Sequence, residues 1–383
     1  MKRNKIFALG IASSLLALSA GCASSGGSKG ASGSGAAGSS SAKSTKSLQI
    51  AYANITSANP TLKGIADLIQ QAATTSGDTV SLFDNQADPT TAVSVAQLMV
   101  NSKPDVIMDW PPAPQIGASL SAIFKRGNVP CISVNISIPD CPWFNLDNAT
   151  LGTLAGQELA KLMQAKGWDG TNTTFVMAQN ATVGDDNNAL ERSGYIAVAN
   201  ALPGFTKMTL SQITATTTTI SASAVQVDAG DQVDTAYTAM QNALQSIPKN
   251  RHIVVYGITD ESVIGAARAI SGAGRTDVML AGNGGGASGL QQLRTNPEWV
   301  VDSSSFVPQW GEYLMAMAHA LTSGVTLPAK TKAPIAIVTK ANVNQYYKPN
   351  SADVLKMPPL DPADQYLVAT GILQKYDNIQ GLS

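Results

Sequence analysis

Charge is scarce in this chain. Of its 383 residues only 13% are Asp, Glu, Lys or Arg, and these cancel to a formal net charge of −1. Without a basic face there is no ground for expecting a nucleic acid or an anionic membrane surface as a partner. Cysteine occurs three times and histidine twice, too few to suggest a structural zinc site with four closely spaced ligands. No metal is expected. No G-x-S-x-G elbow is present; His252 opens a buried-strand pattern and His319 falls inside a helical one, so neither reads as the base of a hydrolytic triad.

What the chain does have begins at its N-terminus. Lys2, Arg3 and Lys5 precede an apolar stretch, Ile6 to Ala20, that is too short to span a bilayer. The following Leu18-Ser19-Ala20-Gly21-Cys22 resembles a bacterial lipoprotein signal, with Cys22 as the acylated residue. Ser19 stands where such signals usually carry leucine. The bland alternative is a plain secretory signal cleaved near Gly21 or Ala23. Residues 23–47 are almost all Gly, Ala, Ser, Lys and Thr, a composition that cannot bury enough apolar surface to fold. As a flexible linker they would reach roughly 25–30 Å. The implied arrangement is export, a lipid anchor, a tether and a folded body on the outer face of the cell membrane.

The body alternates strand and helix patterns. Strands are expected at Leu48–Tyr52, Thr79–Phe83, Val106–Met108 and Cys131–Val134, with helical stripes between them; Asp88-Pro89 is a helix start. Brief connections between such units imply a parallel sheet covered on both faces. The stretch Cys131–Gly156 reads as the crossing into a second lobe, where Asp147-Asn148 opens a new helix. Further strands are expected at Thr174–Met177, around Met208–Ile213, at His252–Tyr256, Val278–Ala281, Trp299–Ser304 and Pro334–Val338. The Thr/Ser-rich run 214–223 reads as a surface loop or an extra hairpin. At this length two doubly wound α/β lobes are comfortable.

The order of motifs resembles the ribose-binding-protein-like solute receptors of bacterial ABC transporters, which have the type I periplasmic-binding fold. The resemblance covers about Leu48 to Tyr347. It rests on Asn59-Pro60, Asp84-Asn85-Gln86-Ala87-Asp88-Pro89, Val129-Pro130 with Ser133-Val134-Asn135, Asp147-Asn148 with Leu151-Gly152, Thr259-Asp260, and Pro334-Ile335 with Val338-Thr339-Lys340. It implies two lobes joined by three hinge strands. The first would comprise residues 48–146 plus about 307–338, the second 147–306 plus about 339–383. A small sugar-like ligand would be enclosed between them and handed to ABC permease subunits by a monomeric, non-enzymatic receptor with no cofactor. Carried over by position, ligand contacts would come from Asn54, Asn59, Asp109, Trp110 and Asn135 in the first lobe. The second would supply Asn180, Arg192, Thr259 and Asn283, with Phe306 at the hinge. The departures matter too: the family commonly has aspartate at the place of Asn135, and its Phe-Asp after a late strand is Asn283-Gly284 here. The pocket is therefore expected to be less acid-lined than usual.

Other readings stay open at this stage. A receptor of the same fold could sense a signal such as a furanosyl autoinducer. Gly282-Asn283-Gly284-Gly285-Gly286-Ala287 fits a dinucleotide fingerprint, with Asp302 at the distance of a ribose-binding acid; an exported protein, however, rarely meets NAD. Trp110, Trp143, Phe144 and Trp310 could each stack on a sugar ring or pack in the core. Asp109 could accept ligand hydroxyls or cap the helix that follows. Cys131 and Cys141, in an exported domain, could form a disulfide or remain two buried thiols.

Overall fold

The structure is a computed structural model and describes residues 46–58 and 60–379. The signal segment with Cys22, nearly all of the linker, and Asn59 lie outside the described residues.

The first half of the body runs β1 (Gln49–Asn54), α1 (Pro60–Ser76), β2 (Thr79–Asp84), α2 (Pro89–Asn101), β3 (Val106–Asp109), α3 (Gly117–Gly127), β4 (Cys131–Val134) and β5 (Trp143–Asn145). Local chemistry sets these boundaries. Asp88 caps α2 by accepting the Thr91 N–H at 2.6 Å, and Pro89 occupies the first turn, where its missing N–H is no loss. Asn128 ends α3 in the left-handed conformation. The second half runs α4 (Asn148–Ala165), β6 (Thr173–Gln179), α5 (Ala189–Ala201), β7 (Thr219–Ser221), β8 (Ala224–Asp228), α6 (Val233–Leu244), β9 (His252–Gly257), α7 (Asp260–Gly272), β10 (Val278–Gly284), α8 (Ala287–Thr295) and β11 (Trp299–Ser304). Then come α9 (Trp310–Thr322), β12 (Lys330–Lys332), β13 (Ala336–Val338) and the short α10 (Val343–Tyr346).

Among the described residues the strands form two sheets. One has the order β12-β5-β4-β3-β1-β2 and is parallel throughout; the other is β13-β11-β10-β9-β6-β8-β7, parallel except at its two antiparallel edges. Successive residues of a strand face opposite sides. Ile50, Tyr52, Val106 and Met108 therefore join the core that includes α1 and α9 residues, whereas Ala51, Ala53 and Ile107 meet Val95, Met99, Leu120 and Phe124 of α2 and α3. In the second lobe α4 and α5 touch backbone to backbone. A Cβ at Gly152 would lie 1.9 Å from the Leu190 carbonyl oxygen, and one at Gly156 would lie 2.3 Å from that of Gly194.

Three expectations need correction: the strand at 208–213, the crossing between the lobes and the place of the tail. Residues 208–213 are not a strand: Leu210–Gln212 form a 3-10 turn closed by a Thr209–Gln212 capping box, and the sheet strand is β8. The Thr/Ser-rich run contributes β7, the outer half of a hairpin with β8. The lobe boundaries also differ. Ala336–Val338 pairs with β11 in the second sheet, so the crossing falls between Lys332 and Ala336. The tail beyond 360 returns to the first lobe, where the Tyr376 hydroxyl donates to the Ala72 carbonyl, Asn378 to Glu312, and the Lys332 N–H to Asp364. Its physical reason is α9, which is buried at every residue from Trp310 to Ala320 except Glu312 and so needs apolar cover on nearly every side. Leu367, Ile372 and Leu373 join the same core as α9.

Candidate functional site

A cavity of about 150 Å³ opens between the lobes, at the carboxyl ends of the parallel strands, where open α/β sheets leave room for a ligand. Trp110 follows β3, Asn135 follows β4, and Asn180, Thr259 and Asn283 stand at the ends of β6, β9 and β10; all five line the cavity. Trp310, at the first position of α9, lies against Trp110 with ring centroids 5.5 Å apart and planes 29° from parallel.

Each polar group is held by its own loop. Asn135 sits at a left-handed φ of 60°, which carries the chain sharply off the end of β4. Asn180 accepts the Thr182 N–H and hydroxyl. Thr259 caps α7 by accepting the Ser262 N–H at 3.1 Å. Asn283 donates to the Ile258 carbonyl at 2.7 Å, while its Oδ1 is buried with no partner among the described residues. The Trp110 Nε1 is likewise buried and unpartnered there, whereas the Trp310 Nε1 donates to the Ser305 carbonyl.

Four of the candidate residues stand behind the cleft. Asn54 is buried, accepting from the Tyr52 hydroxyl and donating to the Thr56 and Leu62 carbonyls, so its carboxamide knits the loop between β1 and α1. Asp109, the last residue of β3, is buried one position short of the cleft; Asn85 donates to it at 2.9 Å, and burial pushes its carboxyl up to about 7. Arg192 is 1% exposed and binds its own lobe through Asp185, Gln179 and Gln226. Gln179 and Gln226 in turn donate to carbonyls of the Thr-rich run, so this network anchors that insertion. Phe306 is buried at φ 48° in the crossing between β11 and α9, stacked on Tyr347. Phe144 packs edge-on against Trp310, and Lys330 covers the Trp143 ring. Asn59 is outside the described residues.

The cleft also holds residues that the motif reading missed: Asn148, Asn187, Asp231, Asp260, Glu261 and Ser305. Asn187 lies just before α5 and accepts from Asn148 at 3.3 Å across to α4. Asp260 is the adjoining half of the quoted Thr259-Asp260 pair. Burial, and then the charge of Asp302, hold its carboxyl well above the usual range; burial likewise pushes Asp302 up to about 6. Asp260 accepts the Gly286 N–H and Asp302 the Gly285 N–H, so the two acids clasp the glycine loop after β10. That clasp explains the fingerprint-like glycines. A Cβ at Gly289 would lie 2.1 Å from Asp260, and one at Gly282 would lie 2.2 Å from the Trp299 ring. Asp302 is fully buried and turned to that loop, out of reach of a ribose.

The histidines lie outside the cleft. His319 is buried on Asp78 at 2.8 Å, and His252 stacks on Trp168. Cys131 and Cys141 are joined by a disulfide that ties β4 to the loop after it. Among the described residues no cluster of His, Cys, Asp and Glu is arranged to hold a metal ion, and no helix is long and apolar enough to cross a membrane.

Residues 50–325 match the model of the periplasmic binding protein domain, and the chain belongs to that family. Solved structures share the fold. An ABC transporter solute-binding protein from Mycobacterium smegmatis with bound glycerol superposes with a TM-score of 0.67 at 19% identity, covering 81% of this chain and 100% of that one. A Caulobacter myo-inositol-binding protein bound to myo-inositol gives 0.64 at 18%, covering 78% and 95%. A galactofuranose-binding protein gives 0.64 at 16%, covering 78% and 96%. No curated protein matches the chain in sequence.

Proposed function

We propose that this protein is an extracytoplasmic receptor that captures a small, polar, largely uncharged solute and delivers it to an ABC permease. A sugar, sugar derivative or polyol is the favoured class. The observation that carries this reading is the cleft itself. In a chain of a binding-protein family, Trp110 and Asn135 of one lobe and Asn180, Thr259 and Asn283 of the other line the same cavity. Amides and hydroxyls at strand ends hydrogen-bond hydroxyl groups, while an indole face covers sugar C–H groups. Binding closes the lobes because a bridging ligand gains contacts that an open cleft lacks, and the permease reads the closed state. Solved neighbours carrying glycerol, D-allose and myo-inositol support the ligand class.

The receptor acts as a monomer tethered through acylated Cys22. Loss of labelled-lipid incorporation in Cys22→Ala would support the anchor, and unchanged secretion of an unlipidated wild-type chain would remove it. The binding test is a thermal-shift panel of sugars, polyols, nucleosides and amino acids. A ligand at 100 times its dissociation constant stabilises by about 2.7 kcal/mol, a midpoint shift of several degrees. A shift confined to nucleosides or amino acids, or to none of the panel, would overturn the sugar reading.

A further inference from the structure

The cleft is chemically two-sided. Its first-lobe wall is built from Ile55, Leu62, Ile65, Trp110 and Trp310, continued at the crossings by Leu146, Val307 and Pro308; among the described residues Asn135 is the one carboxamide there. Its second-lobe wall presents Asn148, Asn180, Asn187, Thr259 and Asn283, together with the carboxyl groups of Asp231, Asp260 and Glu261, and has Val183 and Ile258 as its apolar members. No lysine or arginine is among the lining residues. The arginine nearest in sequence, Arg192, spends its guanidinium on Asp185, Gln179 and Gln226.

Resting on the receptor reading above, we infer that the ligand is two-faced and not anionic. Hydroxyl groups line the side that meets the second lobe, and a hydrocarbon flank (a deoxy carbon, or an alkyl or aryl substituent) lies against the tryptophan wall. The physical argument is a matching of donors and acceptors. Among the described residues, a hydroxyl turned towards the first-lobe wall would leave water and find no side-chain partner beyond Asn135 and the Trp110 Nε1, whereas a methyl or ring carbon there displaces water from apolar surface. On the other wall the unpartnered Asn283 Oδ1 accepts from a hydroxyl. A carboxylate or phosphate would face the acidic side chains of Asp231 and Glu261, with no lysine or arginine among the lining residues to meet it.

The test is calorimetric titration of the purified full chain with matched sets on galactose, ribose and inositol scaffolds. Each set contains the parent, a deoxy or O-methyl form, and a phenyl derivative; the uronate or phosphate completes it. Expected is binding at least tenfold tighter for a deoxy, methyl or phenyl member than for its parent, with no detectable binding of the anion. In Trp110→Ala that preference falls towards unity, while Asn283→Ala weakens parent and derivative alike. If Trp110→Ala does not fold, Leu62→Ser on α1 asks the same question of the same wall. Parents that bind as tightly as their derivatives, or an anion that competes, would overturn the inference and leave the receptor standing. Binding of no uncharged member on any scaffold would overturn both.

Discussion

The two lobes share an architecture and differ in how they are held. In the first lobe the sheet is parallel throughout, a disulfide ties β4 to the following loop, and the tail covers α9; its side of the cleft is apolar. In the second lobe α4 and α5 meet at glycines, Arg192 organises a buried polar network, and two buried acids grip the glycine loop. Its side of the cleft is mostly polar, with Val183 and Ile258 the apolar exceptions. The difference teaches that one wall supplies surface and the other supplies hydrogen-bond geometry. Positioned donors and acceptors need the denser internal bonding that the second lobe shows.

The sharpest way to break the comparison is to force the second lobe apart. In Gly152→Val the new Cβ would meet the Leu190 carbonyl oxygen, a backbone atom that cannot rotate away. The expected cost is about 3 kcal/mol or more, read as a lowered denaturation midpoint in urea. A loss below about 1 kcal/mol would mean that the helix contact is looser than the glycines imply. The first lobe offers its own staple. Replacing both Cys131 and Cys141 by alanine is expected to cost roughly 2.5–3 kcal/mol on the loop-entropy account. An unchanged midpoint for the double variant would show that the packing around β4 already confines this loop without the bond.

Which of these differences was legible in the sequence depends on how far side chains act locally. Apolar β-branched runs and the caps at Asp88 and Asp147 lie within a turn of the elements that they define, so the alternation of strands and helices and the crossing after β5 could be read directly. β5 and β12 are three residues each, too short for a period to emerge, and Met208, Leu210 and Ile213 imitate a strand that β8 supplies instead. At the site the limit is the last residue of each strand. Asp109 and Trp110 are neighbours, yet one is sealed beneath the sheet end and the other enters the cleft, because direction alternates and β3 stops between them. Arg192 was plausible by motif, but α5 turns that residue towards β6 and β8. The tail's destination depended on the nearly all-round burial of α9, visible in its Leu-Met-Ala-Met-Ala run but meaningful only once a partner was required.

A smaller effect, of pH, is one that the two lobes share. Asp302 is held up to about 6 by burial, and Asp260 is held well above the usual range by burial and by Asp302. The folded state therefore keeps protons that the unfolded chain releases near pH 4. Their contribution is full below about pH 4 and is lost as pH rises through about 6 and beyond. Asp109 and Glu312 in the first lobe, each raised to about 7 by burial, act in the same direction. Thermal midpoints are expected to be higher at pH 5 than at pH 8, with a shallower slope in Asp302→Asn. A midpoint that rises from pH 5 to pH 8 would contradict this.

The smallest effect concerns what joins the lobes. Lys332, at the end of β12 in the first sheet, reaches Asp361 of the tail at 3.3 Å and Asp147, the cap of α4 in the second lobe, at 3.6 Å. All three side chains are a third or more exposed, or nearly so. Such pairs are worth at most about 1 kcal/mol and weaken with salt. Beneath them one apolar core runs through the junction, from Phe144, Trp310 and Tyr313 to Leu151 and Val301. Lys332→Ala is therefore expected to lower stability by less than about 1 kcal/mol, and by still less in high salt, as read from urea unfolding at two ionic strengths. A loss above about 2 kcal/mol, well outside that range, would mean that charge rather than the continuous core holds the two walls in register.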